Sequence, residues 1–279
     1  MGLGKTVITL TAIRHMIFDT HEVSKVLVVA PLRVARDTWP QEIGKWDHLK
    51  DLTYSVIVGD QKKRIAAANK EAMVYIINRE NIRWLVDYYR SQQRWNFDFD
   101  MIVLDELSSF KNFRSQRFKY MKLVRPYAKR IVGLTGTLTS NGLMDLWAEI
   151  GILDQGKRLG MYIGRYREKY FIPLKEDPVR HIVYSYAIKP GAEKEIYSLI
   201  SDITISMRAK DYLHMPDCVS TTFEVEMDID EWEMYETLKD ELVLSLQDSS
   251  INASNAAVLS GKLPFAVNAT QHSSIWVLA

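Results

Sequence analysis

The sequence contains a single cysteine, which limits both its disulfide chemistry and its metal sites. Cys218 is the only cysteine among 279 residues. One thiol cannot close an intramolecular disulfide and cannot supply a cluster of cysteine ligands. A fold held together by disulfides is therefore excluded. The composition fits a reducing compartment, and we expect a cytoplasmic location.

Long apolar runs are also lacking. No run reaches the roughly 20 residues of a membrane span. The apolar stretch after Lys5 is interrupted by Arg14, and no small-residue cleavage site follows it. It therefore lacks the pattern of a signal peptide. A net charge of +1 gives no overall attraction to nucleic acid or membrane. Any such partner must be bound by a local patch.

Acidic residues are absent from one internal stretch. No Asp or Glu lies between Glu106 and Asp145, whereas the same interval holds eight basic residues. These are Lys111, Arg114, Arg117, Lys119, Lys122, Arg125, Lys129 and Arg130. Such a stripe can supply the salt-dependent part of nucleic-acid binding. A solvated helix face explains it equally well.

Strand-like runs alternate with helical spacing over the first half of the chain. Runs rich in Val, Ile and Leu occupy residues 25–31, 54–59, 72–78, 101–106 and 130–136. Continuous apolar runs of this kind are typical of strands covered on both faces. Ile8, Ala12, Ile13 and Met16 share one face of a predicted first helix. The alternation predicts an α/β fold with a parallel sheet over residues 1–150.

The pattern changes after residue 150. Residues 151–217 read as a helical, basic insert or linker. Residues 218–227 read as a new strand and residues 230–247 as an acidic amphipathic helix, within a further segment over residues 218–262. The tail, residues 263–279, contains no Asp, Glu, Lys or Arg.

The stretch "GLGKT" indicates a phosphate-binding loop. Gly2 and Gly4 allow a tight turn whose backbone N–H groups point at an anion, and the helix that follows adds a favourable dipole. Lys5 would reach the β- and γ-phosphates of ATP, and the Thr6 hydroxyl would hold Mg²⁺. An ordinary glycine-containing turn before a helix explains the stretch as well.

The stretch "MIVLDEL" ends a predicted buried strand with two carboxylates. Ligands collect at the carboxyl ends of strands in α/β sheets. Asp105 could complete the Mg²⁺ site, and Glu106 could orient or deprotonate an attacking water. The alternative is an acidic pair that caps the next helix.

Two further loops follow predicted strands. Thr135, Gly136 and Thr137 form a small polar loop, which could equally be a helix-capping turn. Arg33 and Arg36 precede a predicted helix and could touch nucleic-acid phosphates. For most of that segment a solvated face over core tryptophans is the preferred interpretation.

In combination, these stretches resemble the Swi/Snf-type DNA translocases of helicase superfamily two, in the versions carried by phages and prophages. The resemblance covers residues 1–262. It rests, in order, on "MGLGKT", "VLVVAPLRVARDTWPQEIGKW", "YIINRENI", "DELSSFKN", "LTGTLTSN", "DLWAEIGILD", "YREKYF" and "ISMRAKDYLHMPD". The resemblance implies a RecA-like ATPase lobe that uses ATP and Mg²⁺ and acts on double-stranded DNA. It also implies a helical insert after that lobe and, over residues 218–262, the start of a second lobe. It implies nucleotide contacts at Gly2, Gly4, Lys5, Thr6, Thr135, Gly136 and Thr137, and DNA contacts at Arg33, Arg36 and Lys111.

The sequence departs from the family pattern in three ways. Ser108 stands where the family usually has His, and Leu138 stands where it usually has Pro. The third departure concerns the two ends of the sequence. We expect the first strand of the lobe and nearly all of the second lobe to be missing, the second lobe being encoded in an adjacent reading frame. We therefore expect the chain alone to hydrolyse ATP poorly or not at all.

Three alternatives remain open at this stage. A restriction-enzyme motor subunit of superfamily two would share Lys5, Thr6, Asp105 and Glu106. A non-catalytic fragment that binds DNA is the second. The third is a myristoylated protein, since Met-Gly-x-x-x-Thr fits that modification. Stable anchoring needs a second membrane signal, and the N-terminus offers none.

Overall fold

The computed structural model describes residues 3–92, 97–136, 142–177 and 182–207, together with residues 229, 232–233, 236–237, 243–245 and 250–252. The chain divides into two compact units, residues 1–214 and 215–279. The predicted boundaries at residues 150, 217 and 262 remain predictions.

Five parallel strands form the central sheet of the first unit, in the order β2-β3-β1-β4-β5. The strands are β1 (Val26–Ala30), β2 (Tyr54–Ile57), β3 (Val74–Asn78), β4 (Met101–Asp105) and β5 (Arg130–Leu134). All five coincide with the predicted runs, so the predicted α/β fold is confirmed. Because the strands are parallel, their carboxyl ends lie at one edge of the sheet.

Helices cover both faces of this sheet. They are α1 (Lys5–Phe18), α2 (Trp39–Lys45), α3 (Gln61–Asn69), α4 (Ile82–Ser91), α5 (Gln116–Val124) and α6 (Leu146–Asp154). Side chains cap the first turns of α3 and α5. The Asp60 side chain accepts a hydrogen bond from Lys63 N–H, and the Ser115 side chain accepts one from Phe118 N–H.

Alternate residues of β1 belong to two separate cores. Leu27 and Val29 pack with residues of α4, α5 and α6 on one face. Val28 and Ala30 pack with residues of α1 and α2 on the other. This double burial is the physical reason for the continuous apolar runs.

The first helix presents a different face from the one predicted. Leu10, Ile13 and Ile17 are buried against the sheet, whereas Ile8 and Ala12 are exposed. The apolar residues surround this helix, so the side that packs on the sheet could not be selected from spacing alone.

The residues after α6 form two helices and a hairpin. These elements are α7 (Ile163–Tyr170), β6 (Phe171–Asp177), β7 (Ile182–Ile188) and α8 (Ala192–Ile200). β6 and β7 are antiparallel, with Phe171 opposite Ile188. The predicted helical insert or linker over residues 151–217 thus contains helices, but the two strands β6 and β7 were not predicted. The β-branched and aromatic side chains of β7 favour an extended chain.

Two short strands are described in the second unit. Val243–Ser245 pairs with Ser250–Asn252 in antiparallel fashion. The helix predicted over residues 230–247 is wrong at residues 243–245. A short apolar run of this kind fits a helix or a strand equally well, and pairing with the second segment favours the strand. The predicted strand at residues 218–227 lies outside the described residues. Among the described residues, no helix combines the length and apolarity needed to cross a membrane.

Candidate active site

The candidate phosphate loop leads directly into α1. Gly4 is left-handed, with φ 68° and ψ 25°, and its carbonyl accepts from Ile8 N–H at 3.0 Å. A side chain would be strained at this φ, which explains glycine here. Lys5 and Thr6 occupy the first turn of the helix and are half-buried. Gly2 lies outside the described residues.

Asp105 lies at the carboxyl end of β4, next to the start of α1. Trp39 donates from Nε1 to Asp105 Oδ2 at 2.9 Å. Burial raises the pKa of the Asp105 carboxyl above its ordinary value, while the Trp39 hydrogen bond and the charge of Lys5 act in the opposite direction. Lys5 and Asp105, which are distant in the sequence, therefore interact at the same edge of the sheet.

Trp39 reaches Asp105 through an unusual helical segment. The chain forms one wide turn at Val34–Thr38, in which Trp39 N–H bonds Val34 O, and then continues as α2. Pro40 has no N–H to donate back to the preceding turn, so a wider turn accommodates it. The indole of Trp39 is fully buried. Sequence spacing identified Trp39 only as a core residue, and its polar contact was missed.

Glu106 has a left-handed backbone, with φ 61° and ψ 65°. This conformation is uncommon for any residue other than glycine, and it clusters at functional sites. Ser108 donates from Oγ to Glu106 Oε1 at 2.5 Å. The serine that stands at the histidine position of the family thus supplies a hydrogen bond to the proposed catalytic carboxylate.

The turn after Glu106 is held against β5 by a close contact. Leu107–Phe110 form a short 3₁₀ turn, and Leu107 and Phe110 are buried. A Cβ on Gly133 of β5 would lie 2.7 Å from Leu107 Cδ2. Glycine at position 133 therefore permits the approach of the Leu107 side chain to the sheet.

The third polar loop follows β5, next to β4 in the sheet. Thr135 is half-buried and Gly136 is exposed. Thr137 lies outside the described residues. Since β4 and β5 are parallel neighbours in register, Asp105 pairs with Leu134, which immediately precedes Thr135.

The Asp105 carboxylate retains capacity for a cation. It accepts hydrogen bonds from Trp39 and from the Glu106 backbone N–H, and a carboxylate has about four lone-pair sites. Among the described residues, no group of three or more His, Cys, Asp or Glu side chains that could hold a metal comes together. The oxygen donors present fit Mg²⁺ that binds through few carboxylates and also through substrate phosphates.

The proposed nucleic-acid residues differ in their surroundings. Arg33 and Arg36 are exposed at the wide turn, and Arg36 forms a two-pronged pair with Asp37 at 2.8 and 2.9 Å. Lys111 is half-buried, and its Nζ lies 3.7 Å from Asp145 Oδ2. The DNA roles of all three residues remain predictions.

The basic stripe is partly occupied by contacts within the chain. Arg125 donates to the carbonyls of Leu153 and Ala128. Lys129 pairs with Asp100, and Arg130 pairs with Glu22. Arg114 lies over the ring of Phe113, so that, together with Lys111, at least five of the eight basic residues make contacts within the described part of the chain. The stripe is therefore a weaker nucleic-acid surface than its sequence implies.

Comparison with known proteins gives matches over nearly the whole chain. The family described as SNF2-related domain matches residues 1–271, which extends beyond Lys262. A protein of Acyrthosiphon pisum secondary endosymbiont phage 1, p41, is 35% identical over 270 residues, covering 94% of this chain and 57% of p41. The helicase ssl-1 of Caenorhabditis elegans is 34% identical over 155 residues, covering 53% of this chain and 6% of that helicase. The chain thus spans about half, or less, of the length of these relatives.

A solved structure has a similar fold. It is described as the Sulfolobus solfataricus SWI2/SNF2 ATPase core in complex with dsDNA. The match has a TM-score of 0.60 at 22% identity, and it covers 87% of this chain and 46% of that one.

Proposed function

The chain belongs to the SNF2-related domain family, and on that premise we propose that it is the ATP-binding lobe of an ATP-dependent translocase acting on double-stranded DNA. The observation that carries the proposal is that Lys5, in the first turn of α1, acts electrostatically on the Asp105 carboxylate, which lies beside Glu106 at the carboxyl end of β4. A cationic loop and two carboxylates at one edge are the parts that phosphoryl transfer requires.

Lys5 and the start of α1 bind the nucleotide phosphates in this proposal. The helix N-terminus points its backbone N–H groups at the anion, and the Lys5 ammonium adds a full positive charge. Thr6 and Asp105 would hold Mg²⁺. When bound, the ion supplies positive charge that offsets the charge of the phosphates. Trp39 fixes Asp105 in place, so this carboxylate is oriented before ATP arrives.

Glu106 orients the attacking water. Its Oε1 is occupied by the Ser108 hydroxyl, which leaves Oε2 to accept a hydrogen bond from water. The left-handed backbone at Glu106 and the packing of Leu107 under β5 fix the direction of the carboxylate. Positioning is the main contribution a protein makes to phosphoryl transfer.

Double-stranded DNA is the proposed partner. The structural neighbour is described in complex with such DNA, and Arg33 and Arg36 are exposed on the segment that also carries Trp39. Arginine side chains bind phosphate oxygens without reading sequence. A cytoplasmic location fits this partner and is part of the same proposal.

The test measures nucleotide binding and hydrolysis by the full chain, with and without double-stranded DNA. We expect hydrolysis by this chain alone to be slow and DNA to raise its rate, so nucleotide binding is the deciding measurement. Lys5→Ala should weaken binding of a fluorescent ATP analogue by about 10- to 100-fold, since a hydrogen bond to a charged group contributes roughly 1.5–3 kcal/mol. Lys62→Ala, at an exposed lysine on α3, is the matched control and should bind normally. Unchanged nucleotide affinity in Lys5→Ala would refute the proposal.

A further inference from the structure

Glu149 is a fully buried acid in an otherwise apolar stretch of α6. Its exposed fraction is 0%, as it is for Leu146 and Ile150 on the same helix. Neither Oε1 nor Oε2 has a hydrogen-bond partner within the protein, over the part of the chain that the structure describes. Burying a carboxyl group without partners costs free energy even when it is neutral, and much more when it is ionised. Leucine would suit this position better, so the acid needs a functional explanation.

Three charged groups face Glu149. Asp145 lies one turn earlier on the chain, and Lys111 and Glu106 belong to the loop that follows β4. Lys111 Nζ is already paired with Asp145 Oδ2 at 3.7 Å. Among these four groups a single ammonium therefore serves three carboxyl groups. Like charges this close disfavour one another, so one of the three is most stable with its proton retained.

Glu149 is the member that keeps its proton. Burial, together with the charges of Asp145 and Glu106 and against the opposing charge of Lys111, raises the pKa of its carboxyl to about 8. At neutral pH the group is therefore mostly a neutral acid. In that state the Lys111–Asp145 pair and the Ser108–Glu106 hydrogen bond experience no additional negative charge.

We propose that Glu149 is a positioning residue for ATP hydrolysis: as a neutral acid it keeps the loop of residues 106–111 in its working geometry, and loss of its proton releases that loop. An ionised Glu149 repels the Glu106 carboxylate and competes with Asp145 for Lys111. The loop is sensitive to such a force because Glu106 has a strained backbone conformation. This inference rests on the proposed role of Glu106.

The first arm of the test measures hydrogen exchange of residues 106–112 in the full chain, at about pH 7 and about pH 9. Glu149→Gln keeps the shape of the side chain but cannot ionise. Its loop exchange is compared with that of the native chain at each pH. We expect the two to exchange alike at the lower pH. Between the two pH values the ionised fraction of Glu149 rises about tenfold, so the excess exchange of the native loop over the Glu149→Gln loop should rise about tenfold as well.

Asp154→Asn is the matched control. Asp154 is a buried acid at the far end of α6, where it accepts from the backbone N–H groups of Gly156 and Arg158. This variant should keep the native response of the loop to pH. If Glu149→Gln does not fold, Glu149→Met gives a second neutral side chain of similar length, and the same pH-independent exchange is expected.

The second arm measures DNA-stimulated hydrolysis. The native kcat should fall about tenfold between about pH 7 and about pH 9 with little change in KM, and Glu149→Gln should remove this fall. Failure of the native chain to bind the fluorescent ATP analogue would count against the proposed function, and the exchange arm would still judge Glu149. Equal loop exchange in the native chain and in Glu149→Gln at both pH values would overturn the inference.

Discussion

Replacing Asp100 with Asn tests what holds the sheet together at the edge opposite the candidate active site. Asp100 immediately precedes β4. Its carboxylate accepts from Ser24 N–H at 2.9 Å and from Ser24 Oγ at 2.6 Å, and Lys129 Nζ lies 2.8 Å from it. These contacts join the segments that lead into β1, β4 and β5. The Asn side chain has the same shape but offers an NH₂ group where one carboxylate oxygen accepts hydrogen bonds. We therefore expect Asp100→Asn to weaken the contacts among the three segments that lead into β1, β4 and β5.

The magnitude follows from the pKa of Asp100. Burial alone would raise it, but the hydrogen bonds from Lys129 and Ser24 outweigh burial and lower it from 3.8 to about 2. A depressed pKa means that the folded state favours the ionised form. The stabilisation is therefore present above the ordinary value and is lost as the pH falls towards 2. The shift corresponds to about 2 kcal/mol near neutral pH and to about 1 kcal/mol near pH 3.

Urea unfolding, followed by tryptophan fluorescence, measures this difference. Asp100→Asn should be less stable than the native chain by about 2 kcal/mol near neutral pH, with an unchanged m-value, and the gap should shrink to about half near pH 3. Asp47→Asn is the control, because Asp47 forms only an exposed pair with Lys50, and such pairs contribute little. A gap that stays constant with pH would show that ionisation of Asp100 is not the source of the stabilisation.

Two further predictions concern the loop and the DNA surface. Gly133→Ala should destabilise the chain by about 1–3 kcal/mol, because the new methyl group overlaps buried Leu107. ATP turnover should fall with it, whereas Gly44→Ala, where a Cβ meets nothing within 4 Å, should be tolerated in urea unfolding and in turnover assays. Replacing Arg33 and Arg36 together with Ala should reduce the slope of log affinity against log salt by about 0.9 for each lost phosphate contact. A slope identical to that of the native chain would exclude both arginines from the DNA surface.

The sheet was predictable because its strands are buried on both faces. Runs such as Val26–Ala30 alternate between two cores, so every position must be apolar and the run is visible in the sequence. The rule that ligands collect at the carboxyl ends of parallel strands drew attention to Asp105, which lies at the carboxyl end of β4.

The rest depends on contacts that are remote in the sequence. The hydrogen bond of Trp39 joins residues 66 positions apart, and its local sequence indicates only a helix with an apolar face. In the sequence, Glu149 has the pattern of an ordinary acid on a helix. Its burial follows only from the packing of α6 against the turn after Glu106. The face of α1 was predicted incorrectly because apolar residues surround that helix, and packing alone selects Leu10, Ile13 and Ile17. These features are decided by tertiary structure.

The hydrogen bond from Trp39 to Asp105 affects how this protein responds to the salt concentration of its solvent. An indole N–H carries no charge and does not titrate at physiological pH, and this one is buried with its ring. Dissolved ions screen interactions between exposed charges and have little effect on a buried hydrogen bond. The surface arginines of the same helical segment, by contrast, are proposed to bind phosphates, and salt weakens that kind of interaction directly. Raising the ionic strength should therefore detach DNA from that segment while the Asp105 carboxylate, the proposed Mg²⁺ ligand, stays in place, so that DNA binding and metal binding can be separated with salt alone.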